Sequence, residues 1–140
     1  MPTVQEQVDR MRDAFDNYDT EAFAALYHPD AVVTDPMYPE PLQGVDAIKK
    51  DMEEFATAFP DLEGRFDRVI VDSDTCAMEL TMQGTHTGLL HARSGDIPPT
   101  NKPIELHMSA FARFDDQGRI VEERRYYDTA AMFEQLGSPS

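Results

Sequence analysis

Apolar residues near the start of the chain recur at helical spacing, with Val4, Val8, Met11 and Phe15 on one stripe. Asn17-Tyr18-Asp19 interrupts the pattern, and Thr20 has the character of an N-cap for a short second helix carrying Phe23, Leu26 and Tyr27. His28-Pro29-Asp30 ends that helix. AVVTD at 31–35 predicts a short strand closed by Pro36, which cannot donate to a central ladder. Pro36, Pro39 and Pro41 then mark a loop. Ile48, Met52, Phe55 and Phe59 predict a third helix over 45–59, stopped by Pro60.

Beyond Pro60 the period falls to two. Residues 65–72 and 75–87 read as strands around an Asp72-Ser73-Asp74 turn, and 88–103 is a Pro- and Gly-containing connection. In 104–114, Ile104, Leu106, Met108 and Ala110 alternate with Glu105, His107, Ser109, Phe111 and Arg113, so one face is apolar and the other polar. DDQG at 115–118 is a hairpin turn signal, RIVEERRYYD the partner strand, and TAAMFEQLG a terminal helix with Asp128 as N-cap and Gly137 as C-cap. Helices collected first and antiparallel strands afterwards imply an α+β fold. A long sheet curling around the first helices leaves a cavity between them.

The chain of 140 residues predicts one domain, 1–140, that buries roughly 68% of its extended surface. With 27 acids against 12 bases the net charge is −15, which argues against nucleic acid and against an anionic membrane surface. The acids are mostly Asp and the only lysines are Lys49, Lys50 and Lys102, a balance that suits high salt as well as an ordinary acidic cytoplasm. The single cysteine, Cys76, excludes an internal disulfide, and no Cys/His spacing suggests a metal site. The N-terminus lacks a signal-peptide h-region and no apolar run is long enough to span a membrane, so a cytoplasmic protein is expected. No phosphate-binding Gly loop appears, and no cofactor is expected.

YHPDAVVTDP (27–36), the Gly44-initiated helix, FPDL (59–62), GTHTG (84–88), PPT (98–100) and GRIVEERRYYD with the later QLG (118–137) span most of the chain. In these stretches the chain resembles the SnoaL-like polyketide cyclases of the ketosteroid isomerase and nuclear-transport-factor-like superfamily. The resemblance implies a cone: a curved antiparallel sheet wrapped around N-terminal helices. It leaves function open, since such proteins include cyclases, isomerases, dehydratases, hydrolases and non-enzymatic binders. In the isomerase register Asp35 holds the general-base position, while the tyrosine and acid that assist it fall on Met11 and Ala110. In the cyclase register the catalytic histidine and aspartate fall on Ala110 and Arg125. The chain departs from both patterns.

The resemblance sorts EERRYY (122–127) by face: Glu123, Arg125 and Tyr127 inward, Glu122, Arg124 and Tyr126 outward. Asp35 is then the expected base, though an Asp at a strand end also forms turns. Arg125 cannot shuttle protons but can hold an anion, or it braces the sheet in an ion pair. His86 could act as acid or base at the cavity mouth, or simply be a hydrogen-bonded strand-end histidine. Tyr127, Glu123, Met11, Phe15, Phe55, Leu106, Met108 and Ala110 are the expected ligand contacts. The function expected is a cofactor-independent cyclase, isomerase or hydrolase acting on a hydrophobic oxygenated molecule, working as a homodimer through the outer sheet face. The alternative is a non-catalytic ligand-binding or dimerisation module.

Overall fold

The computed structural model describes residues 2–92 and 95–137. The chain opens with α1 (Val4–Asp16), capped by the Thr3 side chain, which accepts from the Glu6 N–H. Its inner face buries Val8, Met11 and Ala14. Buried Gln7 donates from Nε2 to the Gly118 carbonyl at 2.6 Å, so the polar group on that face is satisfied. The short α2 (Thr20–Ala24) is capped by Asp19, not Thr20.

The helix expected to reach Tyr27 stops earlier. Tyr27 instead opens β1 (Tyr27–Thr34), which contains His28-Pro29-Asp30. An irregularity in its pairing between Tyr27 and Val32 accommodates Pro29, which has no N–H to give a ladder. A two-residue β2 (Leu42–Gln43) pairs with β1, and α3 (Val45–Ala58) follows from Gly44, with Ile48 fully buried.

Then come β3 (Glu63–Asp72), β4 (Thr75–Thr85), the short hairpin strands β5 (Leu90–Ala92) and β6 (Gly95–Ile97), β7 (Pro103–Phe114), β8 (Ile120–Tyr126) and α4 (Thr129–Gln135). The β5–β6 hairpin lies in the stretch read as an unstructured connection, of which residues 93 and 94 are outside the described residues. Gly118 has φ +77, the left-handed conformation that the β7–β8 turn needs and that glycine tolerates.

The main sheet runs β2-β1-β8-β7-β4-β3. Its pairs are antiparallel except one: β1 lies parallel to β8, with Val33 opposite Glu123 and Thr34 opposite Arg124. That exception brings the end of β1, and so Asp35, beside the EERRYY strand. Two apolar clusters fill the interior. One gathers Val8, Phe23, Val33, Ile48, Met78 and Ile120 under α1–α3; the other gathers Phe59, Leu62, Met82, Ile104, Met132 and Leu136 toward α4. No helix among the described residues is long and apolar enough to cross a membrane.

Candidate functional site

A cavity of about 110 Å³ lies between the helices and the concave face of the sheet. Ten of the eleven residues singled out from sequence line it: Asp35, Arg125, Tyr127, Glu123, Met11, Phe15, Phe55, Leu106, Met108 and Ala110. Glu123 and Arg125 get there by strand alternation in β8, and Tyr127, one residue past its end rather than within it as expected, continues the pattern. Ala110, opposite Arg125 across the β7–β8 pair, is small enough to leave the guanidinium room.

One cation organises the polar wall. Arg125 donates from Nε to Glu123 Oε2 at 2.5 Å, and from Nη1 to Asp35 Oδ2 at 3.1 Å and to Asp51 Oδ2 at 2.9 Å. Each of these carboxylates also receives a phenol. Tyr27 donates to Glu123 Oε1 at 2.6 Å, Tyr127 to Asp35 Oδ1 at 2.6 Å, and Tyr38 to Asp51 Oδ1. Burial first, and then the adjoining carboxylates, push the pKa of all three tyrosines well up, so they stay protonated donors. Burial pulls the Arg125 pKa down, but Glu123, Asp51, Tyr27 and Asp35 outweigh it and hold the guanidinium charged.

The two aspartates are not equivalent. Asp35 accepts a third hydrogen bond, from the Met37 N–H at 2.8 Å, and is 6% exposed. Asp51 accepts two and is 15% exposed, so it keeps more lone-pair capacity toward the cavity. Arg125 commits Nε and Nη1 to carboxylates, and Nη2 makes no hydrogen bond among the described residues.

Sequence reasoning missed Tyr27, Tyr38 and Asp51. Asp51 carried a signal: it falls three residues after Ile48 and four before Phe55, on the apolar stripe of α3, where a carboxylate needs a partner. Tyr38 lies in the proline-rich loop, with no period to place it.

His86 is not part of the cavity wall. Its ring is fully buried beside Phe59, and Nδ1 accepts from the Thr100 N–H at 3.2 Å, which puts the ring proton on Nε2. Burial lowers its pKa, partly offset by the backbone of Gly88. The GTHTG stretch serves packing: the N–H groups of Thr87 and Gly88 both bond the Ala58 carbonyl at the end of α3. A Cβ on Gly88 would lie 1.9 Å from the Thr57 carbonyl oxygen, so only glycine fits. Among the described residues no group of three or more His, Cys, Asp or Glu is placed to hold a metal.

Comparison with known proteins agrees with this architecture. IdmH from Streptomyces antibioticus, a candidate polyketide cyclase, superposes with a TM-score of 0.76 at 26% identity, covering 97% of this chain and 99% of IdmH. AclR from Streptomyces galilaeus, a candidate hydroxylase, gives 0.80 at 24% identity over 96% of this chain and 80% of its own. A SnoaL-like protein from Jannaschia sp. CCS1 gives 0.83 at 18% identity over 98% and 93%. No curated protein matches the sequence. The model of the SnoaL-like polyketide cyclases matches residues 5–136, nearly the whole chain, and the chain belongs to that family.

Proposed function

We propose that this protein is a cofactor-independent acid–base enzyme of the cyclase, isomerase or hydrolase type, acting on a small hydrophobic, oxygenated molecule. The observation that carries the reading is the Asp35–Arg125–Asp51 bridge in the wall of an otherwise apolar cavity. Asp51, the less saturated carboxylate, is the base. It takes a proton from an acidic C–H or from a water attacking carbon. Arg125 Nη2 holds the substrate oxygen on which charge develops, in a low-dielectric surround that strengthens the contact. In an isomerisation or ring closure, Asp51 returns the proton to the product. Asp35, fixed by Tyr127 and the Met37 N–H, orients Arg125 and shares its charge.

Six of the eight methionines line the cavity, and their flexible side chains can yield to substrates larger than its resting volume. The test is turnover of small β-dicarbonyl compounds and epoxides by the full chain. Asp51→Asn should lower the rate by about 10²- to 10⁴-fold, and Arg124→Ala should leave it unchanged. Loss of rate in neither variant sinks the assignment.

A second reading, a non-catalytic binder, draws on the closure of the network: three phenols and the guanidinium satisfy the carboxylates from within. Ligand binding without turnover across both panels would favour it. The outer sheet face supports a homodimer, because Phe111 and Tyr126 are half-exposed there and meet edge to face at 6.1 Å. Sedimentation of Phe111→Lys as a monomer beside a dimeric wild type would bear this out. We take the working compartment to be the cytoplasm, in keeping with a lone buried cysteine whose thiol burial pushes up to about 11.

A further inference from the structure

Acid–base chemistry leaves one property of the cavity unused, its charge. Among the described residues, Asp35, Asp51, Glu54 and Glu123 line it against a single guanidinium. Arg125 is shared among Asp35, Asp51 and Glu123, and Glu54 receives none of it. The cation paired with Glu54 is Lys50, whose Nζ is 3.8 Å away on a side chain 76% exposed, where water screens it. His91, also in the wall, is paired with Asp96, its Nδ1 2.7 Å from the carboxylate. The Tyr38 phenol sits amid the surplus: burial, then Asp51, Asp35 and Glu54, all push its pKa up. Its O–H is committed to Asp51, so its oxygen lone pairs remain to accept.

We infer that the cavity selects a small hydrophobic amine, bound as its ammonium between Glu54, Asp51 and the Tyr38 oxygen, and rejects carboxylates and phosphates. An ammonium entering here trades water for acceptors of the opposite sign, and Phe15 and Phe55 also line the cavity. Among the described residues an anion would meet like charge and the remaining guanidinium nitrogen. The volume, below the roughly 150 Å³ of a cavity that admits benzene, limits the resting site to about five or six heavy atoms. The inference rests on the cavity being the ligand site, as in the acid–base reading, but not on turnover.

Titration calorimetry on the full chain with isobutylamine, isobutanol and isobutyrate, three near-isosteres within that size, tests it. The amine should bind at least about tenfold more tightly than the alcohol, as one charge-assisted hydrogen bond would supply, and isobutyrate should show no saturable binding. Glu54→Gln should weaken the amine about five- to tenfold and leave the alcohol unchanged. Isobutyrate or isobutanol binding as well as the amine overturns the inference, as does binding of none of the three or an unaltered amine affinity in Glu54→Gln. Alcohol binding without amine preference would leave the acid–base reading intact; amine binding without turnover of any substrate would do the reverse.

Discussion

The last strand and the residue that follows it carry the same three residue types on both faces, and they do different work. Outward, Arg124 Nε and Glu122 stand 4.0 Å apart with side chains 58% and 45% exposed. Inward, Arg125 Nε and Glu123 stand 2.5 Å apart at 11% and 4% exposed, and the same arginine reaches Asp35 and Asp51. The outer pair trades one solvated state for another and is worth little. The inner charges have lost their water, so each depends on the others being present. Composition and strand are identical, and the environment sets the energy. That dependence holds the charges of the inner face in place.

Removing the central cation should separate the faces most. Arg125→Met strands three buried carboxylates and should cost about 3–5 kcal/mol in urea unfolding, whereas Arg124→Met should cost no more than about 0.5 kcal/mol. Equal costs would erase the distinction. Next in size are the phenols. Tyr127→Phe takes a donor from Asp35 and should cost about 1–3 kcal/mol, while Tyr126→Phe, exposed on the other face, should change unfolding by less than about 0.5 kcal/mol.

Salt sharpens the contrast further. In 1 M NaCl the Debye length falls to about 3 Å, so any cost of Arg124→Met should vanish and the cost of Arg125→Met should persist. The wild type, at net −15, should itself gain stability as salt relieves self-repulsion.

The smallest effect concerns His86, which lies away from both triplets. Its folded pKa is depressed by burial, so the unfolded chain binds the proton first. The stability it contributes is whole above about pH 6.5 and is lost as the pH falls toward its lower folded value. His86→Gln should flatten that part of the wild-type profile; an unchanged slope would mean the ring is not held neutral by burial.

Much of this was legible because alternation is a local rule. The period of two along Glu122–Tyr127 sorts the triplets, and the apolar stripe Ile104, Leu106, Met108, Ala110 fixes which face of the neighbouring strand meets them. What escaped was non-local or masked by local signals. The parallel pairing of β1 with β8 joins segments about ninety residues apart, and no turn between them announces it. Tyr27 was hidden because His28-Pro29-Asp30 reads as a stop, while the strand runs through it by way of an irregular pairing. Asp51 was readable from its place on the α3 stripe, but Ile48, Met52 and Phe55 drew that stripe as core and its carboxylate was passed over. His86 sits in a motif that stands out by its glycines, and those glycines serve the close approach to α3.

Crystals of the full chain soaked with a library of small fragments would show whether the inward triplet with Asp35 and Asp51 forms a ligand site. Fragment density is expected inside the cavity, within hydrogen-bond distance of Arg125 Nη2 or of the Asp51 carboxylate. Fragments found only elsewhere, for example in the open acidic groove of Asp61, Glu63 and Glu105, with the cavity closed over its methionines, would contradict it.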